Sequence, residues 1–349
     1  MPSPVTRSRS RSNVTARPSH SAQRSWSATP PTTNRLLGAA RCRFQQDLLR
    51  DSPLDSRRTA VPVCYSSNPD GGRERHSLSN VSVLVDGADV ESYHREGFVV
   101  LRGVVPRDVL DALAVGVEKN MANPSDWTND YTPKGAGGRF FDDYVSWQRI
   151  HEFRDAALNG SLPEIAGALL GTRRPRFFHE HVLVKEPGTV TPTPWHHDDP
   201  YYGIDGMDNV SLWVPLDSIP ESVALRCFRA SHSSGRRFIP NRFKDDAPYL
   251  PSAQGFEPMG DPTGWWADPS VCACPAEPGD VVAFHFRTLH AAPGTENHSA
   301  RRRVVSFRYL GDDARWAHRP WTTSPPFPDQ NLAPGDLPDE DRFPTIDLK

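Results

Sequence analysis

A chain of 349 residues, 37% of them apolar, can bury a full core as one large domain or two small ones. Its formal charge of −3 gives no global case for a nucleic-acid or anionic-membrane partner, and no apolar run approaches the ~20 residues needed to span a bilayer. The five cysteines (Cys42, Cys64, Cys227, Cys272, Cys274) are few and odd in number. Cys272 and Cys274 have C-x-C rather than C-x-x-C spacing, which argues against a zinc knuckle or thioredoxin-like motif and for a reducing, cytoplasmic setting.

Residues 1–80 are rich in Ser, Arg, Pro and Thr, open on Arg7-Ser8-Arg9-Ser10-Arg11-Ser12, and reach their first acid only at Asp47. Such a segment buries too little apolar surface to offset its ordering entropy. An organelle transit peptide, a basic arm for nucleic acid and a plain disordered leader compete, and composition favours the last. Order is expected from Val81. Asp89 can cap a short helix carrying Val90, Tyr93 and His94, which stops at Gly97. Phe98-Val99-Val100-Leu101 is a short β-rich run. Pro106 then suits a first helical turn, with Val109, Leu110, Leu113 and Val117 following at helical spacing. Gly135 to Gly138 break the chain before Arg139-Phe140-Phe141-Asp142-Asp143. A further helix is predicted from Leu162 to Leu170, with Pro163 early and Gly171 just past its end.

From Pro175 the texture changes to strands. Runs from Arg176 to Lys185, Val210 to Leu216, Ala224 to Phe228, Val281 to Phe286 and Arg303 to Tyr309 are aromatic and β-branched, separated by Gly/Pro loops. The predicted fold is mainly β with flanking helices, around a sandwich or jelly-roll core. Asn241 to Pro278 reads as a long surface insertion, residues 81–318 as the folded domain, and residues 319–349 as a proline-rich tail. There is no internal repeat.

Among these strands lies Trp195-His196-His197-Asp198-Asp199-Pro200. Side chains two apart on a strand share a face, so His196 with Asp198, or His197 with Asp199, makes a chelating pair. An imidazole and a carboxylate on one face are two-thirds of a 2-His-1-carboxylate facial triad, which leaves open positions on non-haem Fe(II). The third ligand should stand on a late strand. His290, at a strand end beside the Ala291-Ala292-Pro293-Gly294 loop, is well placed, and His285 is its rival. Arg301-Arg302-Arg303, about a dozen residues on, can present a guanidinium that holds a carboxylate by two parallel hydrogen bonds, or can simply guard a strand edge.

With these parts in this order the chain resembles the phytanoyl-CoA dioxygenase family of Fe(II)/2-oxoglutarate-dependent oxygenases. The similarity rests on Glu96-Gly97-Phe98-Val99-Val100-Leu101-Arg102-Gly103, Leu183-Val184-Lys185-Glu186-Pro187-Gly188, Trp195-His196-His197-Asp198, Gly279-Asp280-Val281-Val282 through His290, and Arg302-Arg303-Val304-Val305-Ser306. It spans about residues 83 to 315. The resemblance implies a double-stranded β-helix (jelly-roll, cupin-like) core and picks His196, Asp198 and His290 as metal ligands. It also implies Arg302 for the far carboxylate of 2-oxoglutarate, with Arg303 one residue of slippage away, and Trp213 in the co-substrate pocket. His181 and Arg139 match further co-substrate contacts. Implied with these are Fe(II), 2-oxoglutarate and O2, a small-molecule substrate, and oxidation with release of succinate and CO2. Because related halogenases replace the carboxylate ligand with a small residue, Asp198 implies hydroxylation, or another oxidation such as ring closure or desaturation.

The chain departs from the family at two turns. Pro220-Glu221-Ser222-Val223-Ala224 and Arg229-Ala230-Ser231-His232 lack the expected glycines. Val or Ala does not readily take positive φ, so a rebuilt turn is expected there. Two other readings follow: a degenerate jelly-roll binding module, and a cupin-like metalloenzyme that uses Mn or Zn without 2-oxoglutarate. Tyr201, Tyr202, Trp147 and Trp265-Trp266 are candidates for a substrate pocket, or for ordinary burial.

Overall fold

Asp86 opens the first helix by accepting from the Asp89 backbone N–H, and Asp89 returns a bond to the Asp86 N–H. The cap is thus one turn earlier than the predicted Asp89, which serves instead as the third helical residue of a capping box. In this computed structural model residues 84–295 and 301–349 are described, so the leader read over residues 1–80 lies outside them. The helices are α1 (Gly87–Glu96), α2 (Arg107–Ala122), α3 (His151–Leu158) and α4 (Ser161–Leu170). The strands are β1 (Phe98–Leu101), β2 (Asn129–Asp130), β3 (Phe140–Tyr144), β4 (Arg176–Lys185), β5 (Thr193–His196), β6 (Ile204–Asp205), β7 (Asn209–Pro215), β8 (Leu225–Phe228), β9 (Val271–Cys274), β10 (Val281–Phe284), β11 (His290–Ala292), β12 (Arg302–Leu310) and β13 (Arg315–Trp316).

Seven strands form an antiparallel sheet in the order β1-β10-β7-β12-β4-β3-β2, and four form a second, β5-β11-β8-β9. Both build the mainly β, jelly-roll core. Alternation along each strand decides which layer a side chain joins. One row of the large sheet (Phe141, Val182, Val184, Leu212, Val214, Val305, Phe307) packs on Leu113 and Val117 of α2, Phe153 of α3, and Ile165 and Leu169 of α4. The other row (Phe98, Val100, Trp213, Val282, Phe284, Val304) meets Leu225, Cys227, Cys272 and Cys274 from the small sheet. The cavity described below opens between the two sheets.

At Gly97 the chain turns from α1 into β1 with φ +83°, and a Cβ there would lie 2.4 Å from His232 Nδ1. Only glycine serves. Helix α3, strand β9 and the pairing of β3 escaped prediction. Among the described residues no helix is long and apolar enough to cross a membrane.

Candidate metal and co-substrate site

Strand β5 ends on His196 and β11 begins on His290, and the antiparallel ladder pairs these two residues. Pairing sets the imidazoles side by side, ring centroids 4.1 Å apart. Just past β5 the backbone turns helical at Asp198 (φ −70°, ψ −35°), ahead of a single 3₁₀ turn over Asp199–Tyr201. Its Oδ1 comes to lie 3.6 Å from His196 Nε2 and 3.8 Å from His290 Nε2. All three side chains are buried.

Each histidine is oriented from behind. His196 Nδ1 lies 2.8 Å from the Pro194 carbonyl, and His290 Nδ1 2.9 Å from the Thr288 carbonyl. A carbonyl can only accept, so Nδ1 carries the proton and Nε2 presents a lone pair. Asp198 is oriented too: its Oδ2 accepts from Ser211 Oγ at 3.0 Å and faces Arg308 Nη2 at 3.4 Å. Burial alone would raise the Asp198 carboxyl, but Arg308, with His196 and His290, holds it well below the usual carboxylate range. Burial, with His196 beside it, lowers His290 to about 3. Two imidazoles and a carboxylate therefore converge, their donor atoms within 4.8 Å of one another. Both Nε2 atoms face the same carboxylate oxygen of Asp198. Three buried donors gathered in this way are what a divalent first-row ion completes, and the residues fit one.

The alternative pair, His197 and Asp199, is turned the other way. His197 Nε2 accepts from the Phe238 N–H at 3.0 Å, and Asp199 is clamped by Arg237 (2.7 Å) and Arg287 (3.0 Å). His285, the rival third ligand, lies just beyond β10 with Nε2 2.8 Å from the Met207 carbonyl.

The triad lines a cavity with about 940 Å³ of empty space, mouth included. An apolar arm walled by Trp213, Leu225, Phe284, Ala292 and Val304 leads to Arg302. Strand alternation separates the three arginines. Arg302 points inward and is buried, its Nη1 donating to the Val223 carbonyl at 2.5 Å. Arg303 points outward to Asp217 at 2.7 Å, and Arg301 pairs with Glu118 and Glu186. The rebuilt turn now has a place: Glu221–Val223 is one 3₁₀ turn whose last carbonyl seats Arg302, so it bears on the co-substrate arm. At the second departure the turn is kept, with Ala230 itself in left-handed backbone at φ 54°.

The opposite side of the cavity is aromatic and polar. Tyr131, Tyr144, Tyr201, Phe243 and Tyr249 line it, with Asp142 and His181 among them. His181 stands on the inner face of β4, its Nε2 3.0 Å from Asp142 Oδ2, which also accepts from Tyr131 Oη at 3.1 Å. Phe243 and Tyr249 belong to the stretch predicted as surface insertion. It instead folds over the cavity, and its rings meet Tyr201 and His196. Of the other aromatic candidates, Tyr202 lines the cavity, Trp147 packs on Phe177 under the helices, and Trp265 and Trp266 meet Trp195 at steep ring angles. Arg139 is also elsewhere, paired with Asp130 at the surface.

Sequence reasoning missed Arg308, Ser211 and Lys185. A period-two count inward from Arg302 (Val304, Ser306, Arg308) and from His181 (Leu183, Lys185) would have found two of them.

An antiparallel jelly roll that carries a buried 2-His-1-carboxylate set beside an inward arginine defines a cupin-like, metal-dependent enzyme class. The sequence profile of the family Phytanoyl-CoA dioxygenase (PhyH) matches residues 93–305, and the chain belongs to that family. Its members use Fe(II), 2-oxoglutarate and O2, and these are the cofactor and co-substrates of this chain. No curated protein matches by sequence. Among solved structures, the non-heme alpha-ketoglutarate-dependent carbocyclase SnoK from nogalamycin biosynthesis aligns at 22% identity and TM-score 0.59, covering 78% of this chain and all of that one. The epimerase SnoN, in complex with Fe3+, alpha-ketoglutarate and nogalamycin RO, aligns at 21% and 0.56, covering 74% and 97%. EctD from S. alaskensis aligns at 16% and 0.51, covering 65% and 77%. At these identities the likeness is one of fold.

Proposed function

We propose that this chain, with residues 81–318 as its catalytic domain, is a hydroxylase that oxidises a small organic substrate and releases succinate and CO2. The observation that carries the reading is the placement of His196, Asp198, His290 and Arg302 on the wall of one cavity. His196, Asp198 and His290 would hold Fe(II), and Arg302 would hold the far carboxylate of 2-oxoglutarate with Trp213 along its stem. When bound, Fe(II) supplies the O2 activation that is coupled to oxidative decarboxylation of 2-oxoglutarate.

The protein's part is orientation and exclusion of water. Pro194 and Thr288 carbonyls fix the two imidazoles, and Ser211 with Arg308 fixes the carboxylate. The apolar arm keeps the Arg302 end dry, which strengthens its charge-assisted bond to a carboxylate. The aromatic wall of Tyr131, Tyr144, Tyr201, Phe243 and Tyr249 would take the substrate body, with Asp142 and His181 as polar contacts for a substrate hydroxyl. The few, oddly numbered cysteines of the sequence support a reducing, cytoplasmic setting.

The test is anaerobic. Fe(II) and then 2-oxoglutarate are added to the metal-free protein, and the visible charge-transfer band of the chelated co-substrate is followed. The band is expected in wild type, absent in His196→Ala, and shifted to at least tenfold higher 2-oxoglutarate in Arg302→Ala, the loss of a charge-assisted pair being worth about 1.5–3 kcal/mol. No band in wild type at saturating ligand would sink the oxygenase reading and favour the degenerate binding module.

A further inference from the structure

Lys185 lies directly across the β4–β12 ladder from Arg302, and both side chains are buried and line the same cavity. Two cations side by side in such a place call for an acid. Among the described residues none is there. Around Lys185, β12 offers Arg302, β3 offers the Phe140 ring 4.3 Å from Nζ, and the loop after β11 offers the Pro293 carbonyl at 3.3 Å. The nearby carboxylates are engaged elsewhere: Glu186 with Arg301 and Asp217 with Arg303 on the outer face, and Asp142 with Asn129, Tyr131 and His181. Among the described residues Arg302 donates to the Val223 carbonyl.

We propose that Lys185 and Arg302 together receive the far carboxylate of 2-oxoglutarate, and that Lys185 takes up a proton from solvent as that carboxylate arrives. The inference rests on the reading that 2-oxoglutarate occupies the apolar arm. No covalent bond to carbon changes; one N–H bond forms at Nζ, and the proton comes from buffer. Burial, with charged Arg302 beside it, pushes the free Lys185 ammonium well below the usual lysine range. Burial lowers Arg302 only to about 10, so Arg302 keeps its charge at neutral pH. A carboxylate between them reverses the balance at Lys185, because it favours the charged amine. Co-substrate affinity should therefore strengthen as pH falls until the free protein already holds that proton. Two cations also suit a dicarboxylate better than a 2-oxo acid with an apolar tail, which makes Lys185 a specificity residue.

The experiment is calorimetric titration of the Fe(II)-loaded full chain with 2-oxoglutarate, without oxygen, at about pH 8 in HEPES and in Tris, whose ionisation enthalpies differ. Wild type should take up about one proton per 2-oxoglutarate, and none with 2-oxopentanoate, which lacks the far carboxylate. Lys185→Met should lose the uptake and bind 2-oxoglutarate roughly tenfold more weakly. Lys185→Arg, which is always charged, should lose the uptake while binding more tightly than Lys185→Met. Lys185→Met should melt no lower than wild type, since methionine fills the site without a buried amine. Equal binding enthalpies in the two buffers, or unaltered affinity in Lys185→Met, would overturn the role of Lys185 while leaving the co-substrate site intact. Failure of wild type to bind 2-oxoglutarate would overturn both.

Discussion

Ala230 holds φ 54° and ψ 13°, a left-handed conformation in which an L-residue's Cβ crowds the backbone. The position is fixed by its surroundings. Its N–H bonds the Glu96 carbonyl at 2.8 Å, and the next residue, Ser231, donates to the Phe228 carbonyl and accepts from the Leu289 N–H. The left-handed backbone costs an alanine roughly 1–2 kcal/mol, and glycine gives back part of that gain through its freer unfolded chain. Ala230→Gly should therefore stabilise the protein by about 1 kcal/mol, read as a raised midpoint of urea denaturation at unchanged m-value. A lowered midpoint would mean that the Ala230 methyl packs well enough to outweigh its strain. The other departure from the family pattern was met differently: Glu221–Val223 tightened into a 3₁₀ turn that needs no positive φ. One missing glycine was absorbed by strain and the other by a new turn, a choice set by what each backbone must contact.

At the scale of elements, the His196-His197-Asp198-Asp199 run shows how a strand end divides labour between adjacent residues. The even-numbered pair turns into the barrel to form two-thirds of the triad, His196 at the strand end and Asp198 past it where the backbone goes helical. Without that change of backbone the i, i+2 argument would have had the same result for a different reason, so the sequence reading reached the ligands by pattern rather than by geometry. His197 and Asp199 instead fasten the loop after β8 and the turn after β10 to β5. Asp199 Oδ2 accepts from Arg237 Nε and Oδ1 from Arg287 Nε. Asp199→Asn removes the carboxylate that Arg287 and Arg237 share, leaving Arg237 its bond to Asp205, and should cost about 3 kcal/mol by denaturant titration. Fe(II) should still bind, because none of the three ligands or their orienting partners is touched. Loss of metal binding in a variant that remains folded would show that this clamp also sets the ligand geometry. What was legible in the sequence follows the same logic. The five strand runs, β4 among them, carried period-two or apolar signals, while Arg302 over Arg303 was legible only through the family resemblance. Helix α3, with its short polar start at His151-Glu152, and β9, hidden in a proline-rich stretch, carried neither signal. The insertion looked like surface because its roof residues, Phe243 and Tyr249, are isolated apolar positions without a period.

At the scale of the whole molecule, the C-terminal segment completes the enclosure that the two sheets begin. Sequence reading treats residues 319–349 as a tail, since proline-rich, aperiodic chain carries no secondary-structure signal. In the structure the segment runs back over the barrel. Trp321 Nε1 donates to the Pro200 carbonyl, Ser324 Oγ lies 3.0 Å from Tyr144 Oη at the cavity wall, and Phe177 N–H donates to the Pro344 carbonyl. Its anchors are Phe327 and Phe343, whose rings meet Phe178 of β4 at 5.6 Å and 5.1 Å and each other at 5.1 Å. Phe343 is fully buried. Removing such a ring costs its transfer free energy plus the cavity it leaves, so Phe343→Ala should destabilise the fold by about 3–5 kcal/mol. The same change should weaken the cavity wall, because Ser324 and Pro325 line it and are held through this cluster. Phe343→Leu, which keeps most of the buried volume, should recover the greater part of the loss. Denaturant midpoints for the three proteins order them as wild type, Phe343→Leu, Phe343→Ala. If Phe343→Ala instead unfolds with the wild-type midpoint, the segment is not part of the cooperative unit, and the cavity is walled by the sheets and the roof alone.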